Sequence, residues 1–132
     1  MSTIQKGQTA SLSKAFTADE VELFASISLD KNRLHLDEKY AEKTIFGQKI
    51  VHGFLSGSLI SAVIGTILPG EGAIYLHQDM NFRNPVYIDE MLTATVTVDQ
   101  VNEDKHICHL LTQCRNSQGE MKIDGKAIVK YK

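Results

Sequence analysis

The first half of the chain carries apolar residues at helical spacing. Thr17–Glu20 fits a capping box, and the apolar positions that follow it predict a helix over about 17–27. A short helix is predicted to start at the capping residue Asp37. Residues 53–68 are apolar on almost every side and end at Pro69. This pattern predicts a longer helix that is buried on nearly its whole circumference.

The second half of the chain alternates between apolar and polar residues, which is the period of a β-strand. Segments of this kind, separated by turn-forming residues, cover 74–82, 92–98, 106–114 and 121–131. A sheet with one apolar face and a helix that is apolar all round bury each other if the sheet curls around the helix. The sequence therefore predicts an α+β fold in which one antiparallel sheet wraps around one long helix.

Composition limits the class of protein. The chain has 132 residues, 42% of them hydrophobic and 23% charged, which predicts a single globular domain over 1–132. A net charge of -2 without a basic run argues against a nucleic-acid partner. The first residues lack the apolar core of a signal peptide, and the apolar run 54–68 is too short to span a bilayer. We therefore predict a cytoplasmic protein that is not associated with a membrane.

The cysteine and histidine pattern predicts no metal site. Cys108 and Cys114 are too few and too close together for a disulfide framework, and their spacing does not match a Cys-x-x-Cys motif. His106 and His109 lie in a predicted strand, which would direct them to opposite faces of the sheet. We expect both cysteines to be buried thiols and neither histidine to bind a metal.

Two polar features are candidates for chemistry. Asp30 and His35 lie in one predicted loop, where a carboxylate and an imidazole could activate a water molecule; alternatively, the loop has no catalytic role. His52-Gly53 immediately precedes the long helix, whose first N–H groups could hold a carbonyl oxygen that gains negative charge. Gly53 would allow a ligand close to its amide, or it would simply permit a tight bend. Together, the two features suggest chemistry at a carbonyl compound.

The stretch DKNRLHLDEKYAEKTIFGQKIVHGFLSGSLISAVIGTILPGEGAIYLHQDMNFRNPVY resembles the MaoC-like (R)-specific enoyl-CoA hydratases. The family signature is an Asp-x-Asn-Pro-x-His loop, a following Asp, and a His-Gly before the central helix. This chain matches it at Asp30, Asn32, His35, Asp37 and His52-Gly53. The similarity extends from about Leu12 to Tyr131.

The resemblance implies a hot-dog fold and a homodimer in which two sheets join into one. It implies the reversible syn addition of water to a trans-2-enoyl-CoA, giving an (R)-3-hydroxyacyl-CoA in fatty acid or polyhydroxyalkanoate-type metabolism, without a metal or redox cofactor. Asp30 and His35 would be the catalytic pair, and the Gly53 amide would bind the thioester oxygen. The supporting residues would be Asn32, Ser61 and His52. We expect the depth of the acyl pocket to depend on the packing of Val63, Ile64 and Val129.

The chain departs from the family pattern at two places. Arg33 stands where the family usually has Pro, which removes a fixed φ angle and adds a charge to the loop. Asp89-Glu90 stands where the family usually has Gly-Asp, in a turn before a strand. Neither change removes a catalytic side chain.

Two other functions remain open at this point. Hot-dog thioesterases often carry an acidic residue on the central helix, whereas residues 54–68 contain none. A non-catalytic acyl-thioester binding module would be consistent with a loop altered at Arg33. A fold by itself does not distinguish these functions.

Overall fold

The computed structural model describes residues 3–132, and its helices lie mostly in the first half of the chain. The elements, in chain order, are β1 (Thr9–Ala15), α1 (Ala18–Ser28), α2 (Arg33–Leu36), α3 (Glu38–Glu42), α4 (Gly53–Thr66), β2 (Ile74–Gln78), β3 (Asn81–Phe82), β4 (Met91–Asn102), β5 (Ile107–Asn116) and β6 (Met121–Lys130).

The helix starts follow from local capping. Thr17 and Glu20 form the predicted capping box of α1, with the Thr17 hydroxyl 3.2 Å from the Glu20 backbone nitrogen. Asp37 caps α3 by accepting a hydrogen bond from the Tyr40 backbone N–H at 3.1 Å. Both predicted helices are therefore confirmed.

The strands form one antiparallel sheet in the order β1-β4-β5-β6-β2, with β3 also paired to β6. The sheet is open, since β1 and β2 are its edges. The predicted apolar face of β4 is confirmed, because Leu92, Ala94, Val96 and Val98 are all buried. Helix α4 packs on this face and supplies the largest buried side chains of the core together with the sheet.

Three features differ from the sequence-based expectations. Strand β1 was not predicted; its outward side is polar, and its hydroxyls pair with threonines of β4, for example Ser13 with Thr93 at 2.7 Å. The predicted strand over 74–82 is divided into β2 and β3, because Asp79 and Met80 interrupt it. The predicted loop between α1 and α3 contains a single helical turn, α2.

Helix α4 is buried on one side only in the single chain. Phe54 is 68% exposed, and Ser58, Ser61 and Gly65 are also exposed. The prediction of burial around nearly the whole circumference is thus wrong for one copy of the chain. The open side carries mostly small residues, which are neither strongly polar nor strongly apolar. The hydropathy of the segment therefore did not indicate which side of the helix is exposed.

Within residues 3–132, no helix combines the length and the apolar character needed to cross a membrane.

Candidate active site

The loop between α1 and α2 is shaped by its own short polar side chains. Helix α1 ends at Leu29, whose left-handed φ of 67° turns the chain sharply. The Asp30 carboxylate then accepts a hydrogen bond from the Asn32 N–H at 3.3 Å, and the Asn32 side chain caps α2 through the Leu34 N–H at 3.0 Å. The loop therefore directs α2, and with it His35, toward the rest of the molecule.

His35 is buried and held in one tautomer. Its Nδ1 lies 2.8 Å from the backbone carbonyl oxygen of Ile50. Because a carbonyl oxygen only accepts, Nδ1 carries the hydrogen and Nε2 keeps its lone pair. Burial lowers the pKa of His35 below 6.5, and the neighbouring His52 lowers it further, against the raising effects of the Ile50 hydrogen bond and Asp30. The imidazole is consequently neutral, and its Nε2 is available as a base near neutral pH.

His52 links the loop to the start of α4. Its ring stacks on the His35 ring with centroids 3.8 Å apart and meets the edge of Phe24 at 4.8 Å. Its Nε2 lies 2.9 Å from the Asp30 carbonyl oxygen and must therefore donate to it. One residue thus fixes both the backbone of Asp30 and the ring plane of His35.

Gly53 is the first residue of α4, and no side chain caps the N–H groups at this helix start in the described chain. A Cβ at Gly53 would lie 2.6 Å from Cε1 of Phe82, so the Phe82 ring packs directly on the glycine backbone. Phe82 also stacks with Phe54, with centroids 6.0 Å apart. The free N–H groups are therefore bordered by two aromatic rings.

A cavity of about 430 Å³ opens at this point. Its polar end contains Asp30, His52, Gly53 and Ser56, and its walls are mainly apolar. The walls are formed by Phe46, Ile50, Val51, Phe54, Phe82, Arg83, Asn84, Pro85, Val86 and Ile123. An apolar pocket with a few convergent polar groups at one end is typical of a small-molecule binding site.

Comparison with known proteins places this site in a family. The model of the MaoC like domain matches residues 1–116. The chain belongs to the MaoC-like family. It is 44% identical over 128 residues to an (R)-specific enoyl-CoA hydratase of Aeromonas caviae, covering 97% of this chain and 96% of that protein. A second (R)-specific enoyl-CoA hydratase, from Rhodospirillum rubrum, is 44% identical over 126 residues, covering 96% and 87% of the two chains.

Solved structures agree with this assignment. An (R)-hydratase from A. caviae involved in PHA biosynthesis superimposes with a TM-score of 0.96 at 43% identity, with full coverage of both chains. An R-hydratase from Pseudomonas aeruginosa gives a TM-score of 0.92 at 38% identity, covering 97% of this chain and 82% of that one. The fold of this MaoC-like chain is accordingly the hot-dog fold.

Several residues predicted for the site are absent from the cavity wall, among them Asn32 and His35, whose ring stacks on the wall residue His52. Ser61 is exposed on the open side of α4. Val63, Ile64 and Val129 are fully buried in the hydrophobic core and are not part of the cavity wall. Their contribution to an acyl pocket stays a prediction, whereas the walls of this cavity come from other residues.

Ser56 is a cavity residue that the sequence analysis did not select. The exposed Ser58 bonds back to the backbone of its own helix, but the Ser56 Oγ is buried without a protein partner in residues 3–132. The Nδ1 of His52 is in the same situation. The signal for Ser56 in the sequence was its position three residues after Gly53, which puts it on the same face of the helix.

The two departures from the family pattern have local explanations. Arg33 is the first residue of α2, its guanidinium lies 4.4 Å from the centroid of the Tyr40 ring, and it is not part of the cavity wall. Asp89 has a φ of 67°, a left-handed conformation that glycine adopts without strain. The MaoC-like family's usual Gly at this position is thus explained by the backbone.

Asp30, His35 and His52 also form the one group of potential metal ligands found among residues 3–132, with one ligand atom from each lying within 4.8 Å of the others. The stacked histidine rings do not suit a metal, because an ion about 2.0–2.1 Å from a ring nitrogen has to lie near the plane of that ring. One ion cannot lie near both planes when the rings are stacked 3.8 Å apart. His106 and His109 are not part of any such group in this range.

Proposed function

We propose that this chain is an (R)-specific enoyl-CoA hydratase, a hydro-lyase that reversibly adds water to trans-2-enoyl-CoA and gives (R)-3-hydroxyacyl-CoA. One observation carries the proposal: a neutral His35, with a ring nitrogen within 4.8 Å of an Asp30 carboxylate oxygen, stacks on His52 at a helix start without a side-chain cap, beside an apolar cavity. The 44% identity to hydratases over nearly the full chain supports it.

The two side chains are complementary to a water molecule. An ionised carboxylate only accepts hydrogen bonds, and the Nε2 of His35 also accepts in this tautomer. A water between them would donate one O–H to each. One group takes a proton while the water oxygen bonds to the β-carbon of the substrate, and it then returns that proton to the α-carbon on the same face. This sequence balances as a net syn addition of water.

Gly53 has the complementary role of stabilising the charge that develops on the substrate. As the new C–O bond forms, electrons move toward the thioester oxygen. The N–H groups at the start of α4 would hold that oxygen, assisted by the positive end of the helix dipole. Asn32 supports the reaction by capping α2, and His52 by fixing Asp30 and His35. For Ser61 we retain a supporting role as a proposal.

The absorbance of the conjugated enoyl thioester in crotonyl-CoA tests this function, because hydration removes the conjugation. We expect the absorbance to fall with wild-type protein, and Asp30→Asn or His35→Gln to reduce the rate by at least about a hundredfold. The matched control is His109→Gln, which changes an exposed histidine on β5 and should retain the wild-type rate. An (R)-specific dehydrogenase added as a coupling enzyme reports the configuration of the product. Wild-type inactivity across short and medium acyl chains would refute the assignment.

The two competing functions give different assay results. A thioesterase releases free coenzyme A, which a thiol reagent detects, but α4 contains no Asp or Glu to activate water. A binding module would retain crotonyl-CoA without consuming it. A binding module needs no base, so it does not explain why the Ile50 carbonyl holds His35 in the base tautomer.

We further propose a homodimer that forms through β2. This strand is an edge of the sheet and carries three partly exposed large apolar residues, Ile74, Tyr75 and Leu76. An apolar edge strand of this kind is suited to pairing with a second sheet. Light scattering should give the mass of two chains, and Leu76→Lys should lower it to one. The control is Ser11→Lys on the polar edge strand β1, which should leave the mass unchanged.

The proposed reaction needs no redox cofactor, because adding water to a double bond transfers no net electrons. For the cellular location we propose the cytoplasm, since Cys108 and Cys114 are free thiols, as expected in a reducing compartment.

A further inference from the structure

Lys122 is a buried cation outside the site described above. Its side chain is 2% exposed, and its ammonium group contacts three oxygens. It donates to the Pro85 carbonyl at 2.7 Å and lies 2.6 Å from a Glu120 carboxylate oxygen and 3.3 Å from a Glu90 carboxylate oxygen. Burying a lysine is costly unless it is paired in this way, so its position is well defined.

The residues that Lys122 holds form one wall of the cavity. Its backbone carbonyl accepts hydrogen bonds from the N–H groups of Arg83 at 2.8 Å and Asn84 at 3.4 Å. Its side chain holds the Pro85 carbonyl and, through Glu90, the end of the same segment. Lys122 therefore contacts both ends of segment 83–90; Met121 and Asp124 of β6 also hold the first end, whereas the Lys122 side chain reaches Pro85 and Glu90.

Glu90 is itself fixed in the charged form that this arrangement needs. Burial alone would raise the pKa of its carboxyl group, but hydrogen bonds from the Tyr87 N–H and the Asn116 amide, together with the Lys122 ammonium, lower it below its usual value. Its two oxygens lie 3.0 Å from the Tyr87 nitrogen and 3.0 Å from the Asn116 amide nitrogen. Among the contacts of the segment with Lys122, Glu90 is thus the charged anchor.

From segment 83–90, a short series of hydrogen bonds leads to His35. The Val86 carbonyl accepts the Val51 N–H at 2.7 Å, and Ile50 forms an isolated antiparallel bridge with Tyr87. The carbonyl of Ile50 is the group that accepts the Nδ1–H of His35 at 2.8 Å. The backbone at Ile50, which sets the base tautomer of His35, is therefore paired with segment 83–90, which Lys122 anchors.

We infer that Lys122 is a positioning residue for the reaction: by fixing segment 83–90, it holds the Ile50 carbonyl where it keeps His35 in the base tautomer. The Lys122 ammonium is enclosed by the oxygens of Pro85, Glu120 and Glu90, so the residue acts through segment 83–90 rather than on the substrate. The inference rests on the proposed function for its kinetic consequence, but its structural consequence for His35 does not depend on that function.

The main variant is Lys122→Met, which keeps the length of the side chain and removes the charge and the donor. Because small displacements of a catalytic group cost much of the rate, we expect kcat to fall about tenfold while KM changes much less. Lys122→Arg, which restores a cation with donors, should recover most of kcat. If the Met variant does not fold, Lys122→Gln keeps a donor at the site without the charge and should show the same loss in kcat.

A spectroscopic measurement separates positioning from general destabilisation. With ¹⁵N-labelled histidine, and His35→Gln to assign the signal, the His35 ring should show a single Nδ1–H tautomer in the wild type and a mixture of tautomers in the Met variant. The matched control is Val98→Ala, a cavity-forming change in β4 away from the site, which should lower the melting temperature yet leave kcat and the tautomer unchanged.

Each arm has a result that contradicts the inference. An unchanged His35 tautomer in the folded Met and Gln variants would overturn it, and so would a loss confined to KM. If wild-type protein shows no hydratase activity, the proposed function fails, and the tautomer measurement still decides whether Lys122 positions His35.

Discussion

Substituting Gly53 by Ala is the sharpest test of the carbonyl-binding role of α4. The new Cβ would lie 2.6 Å from Cε1 and 2.8 Å from Cδ1 of Phe82, whereas carbon atoms in contact lie about 3.5–4.0 Å apart. Either the ring or the helix start has to move by roughly 1 Å. Phe82 is 51% exposed and has room to move, so we expect the free energy of unfolding to fall by only about 1–3 kcal/mol.

The expected loss of activity is larger than the loss of stability. Gly53→Ala keeps the N–H, but its Cβ would hold a bound carbonyl oxygen away from it, and a shift of about 1 Å at a reacting centre lowers the rate by about a hundredfold. We therefore expect Gly53→Ala to lower kcat for crotonyl-CoA hydration by about that factor at a temperature where the variant is fully folded. Circular dichroism provides the folding measurement and enoyl-thioester absorbance the rate.

The same helix offers a matched control. Gly65 is also in α4, and a Cβ there would meet no atom within 4 Å. Gly65→Ala should raise the free energy of unfolding by about 0.5–1 kcal/mol, because glycine disfavours a helix interior, and should leave kcat unchanged. The double variant Gly53→Ala/Phe82→Ala removes the ring that clashes and should regain stability relative to Gly53→Ala. A wild-type kcat for Gly53→Ala would refute the role of the helix start.

The remaining predictions concern pH, backbone conformation and thiol reactivity. Because the pKa of His35 in the folded chain is below 6.5, the unfolded chain binds more protons than the folded chain at low pH. The melting temperature should therefore decrease as the pH is lowered from about 6.5, and it should decrease less in His35→Gln. The kcat of the wild type should decrease over the same pH range. Arg33→Pro should keep the hydratase rate within about twofold of wild type. Thermal unfolding should show a free energy of unfolding that is higher by up to about 0.5 kcal/mol, since the ψ of 128° at the preceding Asn32 suits a following proline. Asp89 has a left-handed φ, which alanine tolerates poorly and glycine adopts freely. Denaturant unfolding should therefore show a free energy of unfolding about 1 kcal/mol lower for Asp89→Ala, and no such decrease for Asp89→Gly. Burial raises the pKa of Cys108 to about 11 and that of Cys114 to about 12, so a thiol reagent at pH 8 should label neither until the chain unfolds.

Local patterns were sufficient for much of the fold. The capping box at Thr17–Glu20 and the alternation along β4 each depend on neighbouring residues, and both are confirmed. Strand β1 is different, because its pairing partner is β4, about 80 residues further along the chain, and its outward side consists of small polar residues. The alternation of small polar residues with Ala10 and Leu12 is too short to indicate such a partner.

The candidate site divides in the same way. Asp30 and His35 could be selected because they lie in one loop, and Gly53 because it begins a helix. The contacts that give these residues their chemical state are not local: His52 reaches the Asp30 carbonyl, Ile50 sets the His35 tautomer, and Phe82 packs on Gly53. These contacts depend on how α4 and segment 83–90 meet the loop, which is determined by packing over the whole sheet.

Arg33 shows how the structure changes the meaning of a single substitution. In the sequence it is a charge in place of a rigid residue, at the centre of a catalytic motif. In the structure it occupies the first position of α2, where a side chain leaves the helix axis toward solvent and where the Asn32 cap, rather than residue 33, fixes the loop. Its guanidinium lies over Tyr40 and 3.5 Å from Asp37, outside the cavity. We therefore expect the position to accept proline as well as arginine, because the contacts that hold Asp30 and His35 come from Asn32, Ile50 and His52 instead.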